Sequence, residues 1–377
     1  VIPYGRQSID EADIQAVVEV LRSDWLTTGP GVEKFEKAFA RFVGARHAVA
    51  VSSGTAALHA AVYALGIGPG DEVIVPAMTF AATANCIVFQ GGTPIFADVD
   101  PETLLIDPER VEDLITPRTK AIIAVDYAGQ PCDYEALEGI TRRHGLHLVD
   151  DACHALGAAY RGRSVGSLAG LSCFSFHPVK HITTGEGGMI TTDDPELARR
   201  MRVFRNHGIT TDHRERQARG AWFYEMTDLG YNYRLTDFQC ALGLRQLEKL
   251  PDWNNRRRDI AAMYDEAFRE MSAVSPLSVR PEVLHAYHLY VVRLRGVDRD
   301  VAFQAMRAAG IGVNVHYIPV HLHPFYRRQF GTGPGLCPVA ESTYGQILSL
   351  PIFPGMTDDM VERVIDAVRE VIGDSET

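Results

Sequence analysis

One lysine, one carboxylate and one small-residue turn carry the chemistry that can be read from this chain. Lys180 follows the apolar stretch Phe174-Ser175-Phe176-His177-Pro178-Val179 and precedes Thr183-Thr184-Gly185-Glu186-Gly187-Gly188. A strand ending there delivers the amine to the carboxyl edge of a sheet, where ligands bind open sheets. An amine partly shielded from water at that edge loses its proton readily enough to attack an aldehyde. Asp151 lies in Val149-Asp150-Asp151-Ala152-Cys153-His154. Its carboxylate can pair with a pyridine nitrogen and keep it protonated, which makes the ring an electron sink. Ser52-Ser53-Gly54-Thr55 follows an apolar run and opens the helical pattern AALHAAVYAL. Backbone N–H groups at a helix start form an anion site, and Gly54 has no side chain to obstruct it. Phe80, in Ala77-Met78-Thr79-Phe80, offers a flat face for a ring to stack on. Singly, each has an ordinary explanation: a surface lysine, a capped turn, an acidic loop, a core aromatic. As an ordered set they imply a pyridoxal-phosphate site in which Lys180 holds the cofactor as a Schiff base and shuttles protons.

The elements that must position these residues are legible from hydrophobic runs. HAVAV (47–51), EVIVP (72–76), TPIFADV (93–99), KAIIAVD (120–126), LHLVDD (146–151), GLSCFSF (170–176) and GGMIT (187–191) recur between helical patterns. Apolar runs of that length predict a largely parallel or mixed sheet with helices on both faces. Ahead of them come a helix from about Asp10 to Arg22, the turn Thr27-Thr28-Gly29-Pro30-Gly31, and a second helix with Phe35, Phe39 and Phe42 at helical spacing. The pattern predicts a large domain over 1–245, including the N-terminal segment. A connecting helix and a small C-terminal α/β lobe fill 246–377, with YHLYVVRLRG (287–296), a helix near 299–309 and the strand-like GVNVHYIP (312–319). The run Arg256-Arg257-Arg258 reads as the solvated face of that connecting helix.

Bulk properties narrow the partners. A chain of 377 residues with 46% hydrophobic content can bury a substantial core, and a formal charge of -11 argues against general binding to nucleic acid or anionic membrane. A local basic pocket for a phosphorylated ligand stays open. Cys86, Cys132, Cys153, Cys173, Cys240 and Cys337 lie far apart with no CxxC pair, which predicts reduced thiols and neither disulfides nor a metal cluster. No apolar run approaches a membrane span, and no basic stretch leads into an apolar one at the start, so a cytoplasmic location is the default. The turn SSGTA lacks the G-x-G-x-x-G expected of a nicotinamide dehydrogenase.

From Thr28-Gly29-Pro30 through SSGTAALHAA, EVIVPAMTF, VDDACHALGA, FSFHPVKHITTGEGG and LGYNYRLTDFQCALGLRQL to HYIPVHLHPFY, the chain resembles the DegT/DnrJ/EryC1/StrS sugar aminotransferase family. The resemblance implies an aspartate-aminotransferase-like α/β fold (fold type I of pyridoxal 5′-phosphate enzymes). It implies Lys180 as the cofactor lysine, Asp151 at the pyridine nitrogen, Phe80 on the ring and His154 beside its hydroxyl. Gly54, Thr55 and Ser175 would hold the phosphate, and Asn232 would reach the phosphate in the neighbouring subunit of a homodimer with shared active sites. Arg6, Thr28, Glu186, Arg234, His316, Tyr317 and His323 are its implied substrate contacts. Apart from the resemblance, Asn232 and Arg234 read as a polar cap, and His316, Tyr317 and His323 as core or rim residues. The related sugar 3-dehydratases carry histidine where Lys180 stands, so the lysine points to transamination, with L-glutamate as donor and 2-oxoglutarate as its product.

Within the family, the string 177–188 is most similar to the branch of pseudaminic acid biosynthesis. That branch converts UDP-2-acetamido-2,6-dideoxy-β-L-arabino-hex-4-ulose into UDP-4-amino-4,6-dideoxy-N-acetyl-β-L-altrosamine. Branches of the GDP-perosamine, bacillosamine and legionaminic types share closely similar scaffolds and remain alternatives. A non-enzymatic regulatory or scaffold protein on the same fold is a further one, against which the retained Lys180 and Asp151 weigh.

Overall fold

The computed structural model describes residues 1–211, 214, 216 and 220–373. The strands, in chain order, are β1 (His47–Val51), β2 (Glu72–Pro76), β3 (Thr93–Ala97), β4 (Thr119–Val125), β5 (His147–Asp151), β6 (Ala159–Tyr160), β7 (Arg163–Ser164), β8 (Leu171–Ser175), β9 (Gly188–Thr192), β10 (Val274–Pro276), β11 (Val283–Leu284), β12 (Tyr290–Leu294) and β13 (Ile347–Leu350). The seven-stranded sheet has the order β1-β9-β8-β5-β4-β2-β3. β3, β2, β4, β5 and β8 pair in parallel, whereas β9 runs antiparallel to both β8 and β1. Each strand of this sheet falls on one of the apolar runs, because both its faces are covered and almost every position must be apolar. The carboxyl ends of β1, β2, β4, β5 and β8 therefore open on one edge.

Local rules set the helices that flank this edge. Helix α1 (Glu11–Leu21) starts with a reciprocal capping box between Asp10 and Asp13. Helix α2 (Pro30–Val43) has proline at its first position and ends at Gly44 in the left-handed conformation. Its Phe35 and Phe39 are fully buried against Phe176 and Phe174, with ring centroids 5.4 and 5.0 Å apart, so this stripe holds α2 beside the strand leading to Lys180. Phe42, expected on the same stripe, is only partly buried. Helices α3 (Gly54–Ala64) and α4 (Ala81–Phe89) begin at the same edge as the strand ends.

Two hydrophobic cores share the long helix Asp237–Phe268. Its Cys240, Leu247 and Leu250 belong to the core around the large sheet, while Ile260, Tyr264 and Phe268 belong to a second core with Ile2, β12, β13 and the C-terminal helix Asp358–Ile372. In the second unit, β10, β12 and β13 form an antiparallel sheet. The strand-like segment 312–319 makes only an isolated bridge, Asn314 with Ser349, just after the bridge of Ile311 with Ile2. Asn314 Oδ1 accepts from the Val315 N–H at 2.8 Å, a local bond that competes with a continuous ladder. Among the described residues no helix is long and apolar enough to cross a membrane. All six cysteines are free thiols, and only Cys153 is more than slightly exposed.

The arginine run is not uniformly a solvated face. Arg256 and Arg258 keep partial exposure, but Arg257 is 1% exposed and donates to the Ile352 carbonyl at 2.9 Å and the Tyr287 carbonyl at 3.1 Å. Periodicity along one helix cannot reveal this, since the carbonyls arrive from segments far away in sequence. Arg257→Ala would orphan those carbonyls and open a cavity, an expected loss of about 2–4 kcal/mol. Urea denaturation checks it, and an unchanged midpoint would contradict the bridging role.

Candidate active site

The strand ends assemble the predicted residues one by one. After β1, Ser53 caps α3 by accepting from the Ala56 N–H at 3.1 Å. The N–H groups of Gly54 and Thr55, in the first turn, have no carbonyl partner within the helix. A Cβ on Gly54 would fall 2.8 Å from Ser175 Cβ, so only glycine lets the helix start lie against the end of β8. Phe80, after β2, is 60% exposed, with its ring 5.9 Å from that of Tyr317. An apolar ring this exposed at a strand edge leaves a face free for stacking.

Asp151 ends β5 and is buried. It accepts from Thr83 Oγ1 at 2.7 Å, and Thr83 Oγ1 lies 2.7 Å from Thr79 Oγ1. The neighbouring Asp150 is fully buried on the other face of the strand. Burial and then Asp126 push the Asp150 carboxyl well above the usual range, while burial takes Asp126 up to about 7. Asp126 Oδ1 nevertheless accepts from the Cys132 N–H at 2.8 Å and Tyr134 Oη at 3.0 Å.

Lys180 is half-buried, and desolvation holds its amine below the usual lysine pKa, against the opposing pull of Cys153 and Asp151. Around it stand His154, His288 and His316, all buried. Burial first, and the lysine second, keep His154 and His288 well below the usual imidazole range and bring His316 to about 3. His154 Nε2 lies 3.0 Å from Tyr317 Oη, which ties the large sheet to the segment after the small lobe's helix Arg299–Ala308. His316 Nδ1 bonds Ser349 Oγ at 2.8 Å, so its ring is occupied on the small-lobe side.

The remaining predicted residues have surroundings of their own. Arg6 and Asn232 are exposed, and Asn232 pairs through its backbone with Asn206. Arg234 donates to Asn206 Oδ1 at 2.9 Å. Thr28 and Arg234 line a cavity of about 540 Å³ with Arg46, Arg202 and Arg205, and Lys180 is not part of its wall. Thr28 has a φ of 54° and precedes Gly29, whose N–H donates to the buried Asp237 at 2.7 Å. Glu186 is exposed, and its carbonyl accepts from Gln239 Nε2 at 2.7 Å. His323 opens the short helix Pro324–Phe330. Two residues at the site escaped the sequence reading, Thr83 and His288. Thr83 is one turn beyond Thr79, and His288 precedes the buried alternate positions Tyr290, Val292 and Leu294; a polar residue closing an apolar face was the available signal.

A seven-stranded, mostly parallel sheet with a smaller α/β lobe and a lysine at the shared strand edge defines the fold type I class of pyridoxal-phosphate enzymes. The profile of the DegT/DnrJ/EryC1/StrS aminotransferase family matches residues 7–369, and the chain belongs to that family. It is 46% identical to the spore coat polysaccharide biosynthesis protein SpsC of Bacillus subtilis over 377 residues, 98% of this chain and 97% of the relative. Among solved structures it is similar to Spr1654 of Streptococcus pneumoniae in its PMP form (TM-score 0.94, 34% identity, 98% of this chain and 99% of that one). It is also similar to Helicobacter pylori PseC, an aminotransferase involved in pseudaminic acid biosynthesis (TM-score 0.92, 34% identity, 98% and 99% covered). The protein is a pyridoxal-phosphate-dependent aminotransferase, and its general reaction is amino transfer to a nucleotide-linked sugar.

Thr83→Val keeps the side-chain shape and removes the only side-chain hydroxyl that donates to Asp151 among the described residues. Hydrogen bonds to charged groups contribute about 1.5–3 kcal/mol, so cofactor affinity is expected to fall about ten- to hundred-fold. An absorbance titration of the cofactor-free variant measures it; wild-type affinity would show that Asp151 needs no such support.

Proposed function

We propose that Lys180 is the lysine that anchors pyridoxal phosphate and the base that moves the proton during transfer of an amino group from L-glutamate to a nucleotide-linked keto-sugar. The observation that carries this reading is the desolvated Lys180 amine at the same sheet edge as buried Asp151 and the bare helix start at Gly54. The donor set fits the cofactor: N–H groups of Gly54 and Thr55 with Ser175 Oγ for its phosphate, Asp151 for its ring nitrogen, the face of Phe80 for its ring and His154 beside its hydroxyl. When bound, pyridoxal phosphate supplies an aldehyde for the amino group and a ring that absorbs the electron pair released at the donor carbon. Lys180 Nζ takes the proton from Cα of glutamate, and in the second half of the reaction it delivers a proton to the carbon that becomes the aminated sugar carbon. One amine serves both halves because each transfer spans a short distance within one bound molecule.

The acceptor class is better supported than any single sugar. The string 177–188 and the likeness to PseC favour UDP-2-acetamido-2,6-dideoxy-β-L-arabino-hex-4-ulose, giving UDP-4-amino-4,6-dideoxy-N-acetyl-β-L-altrosamine. Identity to SpsC, at 46%, is higher than the 34% to PseC, which favours the wider class of nucleotide-linked keto-sugars. Arg6, Thr28, Glu186, Arg234, His316, Tyr317 and His323 are the proposed substrate-facing set, with the arginines toward the diphosphate. Six unpaired thiols suit a cytoplasmic, reducing setting.

A homodimer with shared sites completes the proposal. Trp222, Phe223, Tyr224, Met226, Leu229 and Tyr231 are all exposed, immediately ahead of Asn232. So dense an apolar run on a surface supports an interface there, which would carry Asn232 to the partner's phosphate site.

The purified protein, given glutamate and a panel of UDP-, GDP- and dTDP-linked 4-keto-6-deoxy sugars, is expected to aminate a UDP-linked 4-keto-6-deoxy-N-acetylhexosamine fastest. Lys180→Ala is expected to abolish product seen by mass spectrometry. Turnover of a GDP- or dTDP-linked sugar instead would keep the chemistry and change the substrate, whereas no coenzyme change with any donor would overturn the enzyme reading. For the shared site, Lys180→Ala and Asn232→Ala proteins mixed after dissociation should regain about a quarter of wild-type activity. Half of randomly paired dimers are hybrids, each with one intact site. No regain would place Asn232 in its own subunit's site.

A further inference from the structure

We infer that His288 is a positioning residue for Lys180: in the neutral tautomer with its proton on Nδ1, its Nε2 accepts a hydrogen bond from the lysine amine and holds Nζ on the proton-transfer line. The inference rests on the aminotransferase reading and adds a residue to it. His288 Nε2 lies 3.5 Å from Lys180 Nζ, while His288 Nδ1 is buried without a partner among the described residues. The ring is 5% exposed, so Lys180 is the contact that answers its polarity.

The backbone under His288 is built to hold that ring. The Ala286 N–H donates to the Gly129 carbonyl at 3.0 Å and the Leu289 N–H to the Ala128 carbonyl at 3.1 Å, which fixes the segment on the loop after β4. A Cβ on Gly129 would fall 2.9 Å from the Tyr287 nitrogen and 3.0 Å from that of His288, and Gly129 has a φ of +103°, so a side chain there would both clash and strain the backbone. From the other side Arg257 donates to the Tyr287 carbonyl at 3.1 Å.

The groups facing His288 are Lys180, His154 at a ring-centroid distance of 4.4 Å, His181 at 5.5 Å and Arg257. His181 Nε2 faces the Ala286 carbonyl at 3.1 Å, so it serves as a donor there and leaves the lysine to His288. Burial, together with these cationic and imidazole neighbours, favours the neutral ring, which can accept from an amine and does not repel it. A neutral acceptor stabilises the ammonium form of Lys180 more than its amine form, and it restricts the side chain to one rotamer.

The test compares His288→Phe, which keeps a ring without nitrogen, with His288→Gln, which keeps an acceptor near the Nε2 position. In cofactor-free protein, acylation of Lys180 is followed against pH by peptide mass spectrometry. For His288→Phe the midpoint is expected to fall by about one unit, because the ammonium form loses its acceptor. The glutamate half-reaction, followed by coenzyme absorbance, is expected to slow about ten- to hundred-fold, with His288→Gln near wild type in both. A wild-type midpoint and rate in His288→Phe would overturn the inference, and so would a glutamine variant as impaired as the phenylalanine one, which would mark a packing role. Failure of borohydride to fix the cofactor on Lys180 of the wild-type protein would instead overturn the aminotransferase reading itself.

Discussion

Keeping one amine out of water while a carboxylate stays close to it is the constraint around which this protein is organised. An ammonium is costly where water is scarce, so burial lowers the Lys180 pKa, and the same burial lowers those of the surrounding imidazoles. If His154, His288 and His316 were charged, they would repel Lys180. The carboxyls follow the complementary logic. Asp150 and Asp126 lie together in the core, where burial favours protonation, and this limits repulsion of Asp151 on the ligand side of the strand. Asp151 also has the Thr83 hydroxyl to stabilise its charge.

The site depends on both cores being joined rigidly. Arg257 ties the long helix to the carbonyls of Tyr287 and Ile352, and the segment carrying His288 is in turn bonded to the loop after β4. The Tyr127 hydroxyl donates to the His316 carbonyl, and Tyr317 meets His154. Polar contacts of this kind have a narrow geometry, unlike apolar packing, so they set the relative placement of two separately packed units. A proton carried by a single lysine tolerates little misplacement, which is the functional reason for such bracing.

Shared fold and shared chemistry leave the sugar open. SpsC, Spr1654 and PseC match nearly the whole chain, so the scaffold is common property and substrate choice must lie in a few contacts. The arginine-lined cavity holding Thr28 and Arg234 stands apart from Lys180 within one chain. The exposed aromatic run beside Asn232 is the second feature on which the proposal of a shared site draws.

The alternation of apolar runs and helical patterns determined the sheet and its covering helices, because burial on both faces demands continuous hydrophobic strands. Local chemistry likewise determined the Gly54 turn and the placement of Asp151 at a strand end, with Lys180 in the loop that follows β8. What the sequence by itself could not determine was anything carried by contacts between distant segments. Arg257 looked solvated until carbonyls from two remote loops were found to surround it, and segment 312–319 looked like a strand until Asn314 was seen to bond its own neighbour. Thr83 and His288 are ordinary letters in their own elements, a helix threonine and a residue before a strand. Only the tertiary structure makes one the partner of Asp151 and the other the neighbour of Lys180, because hydrogen bonds are short and directional and sequence distance has no bearing on them.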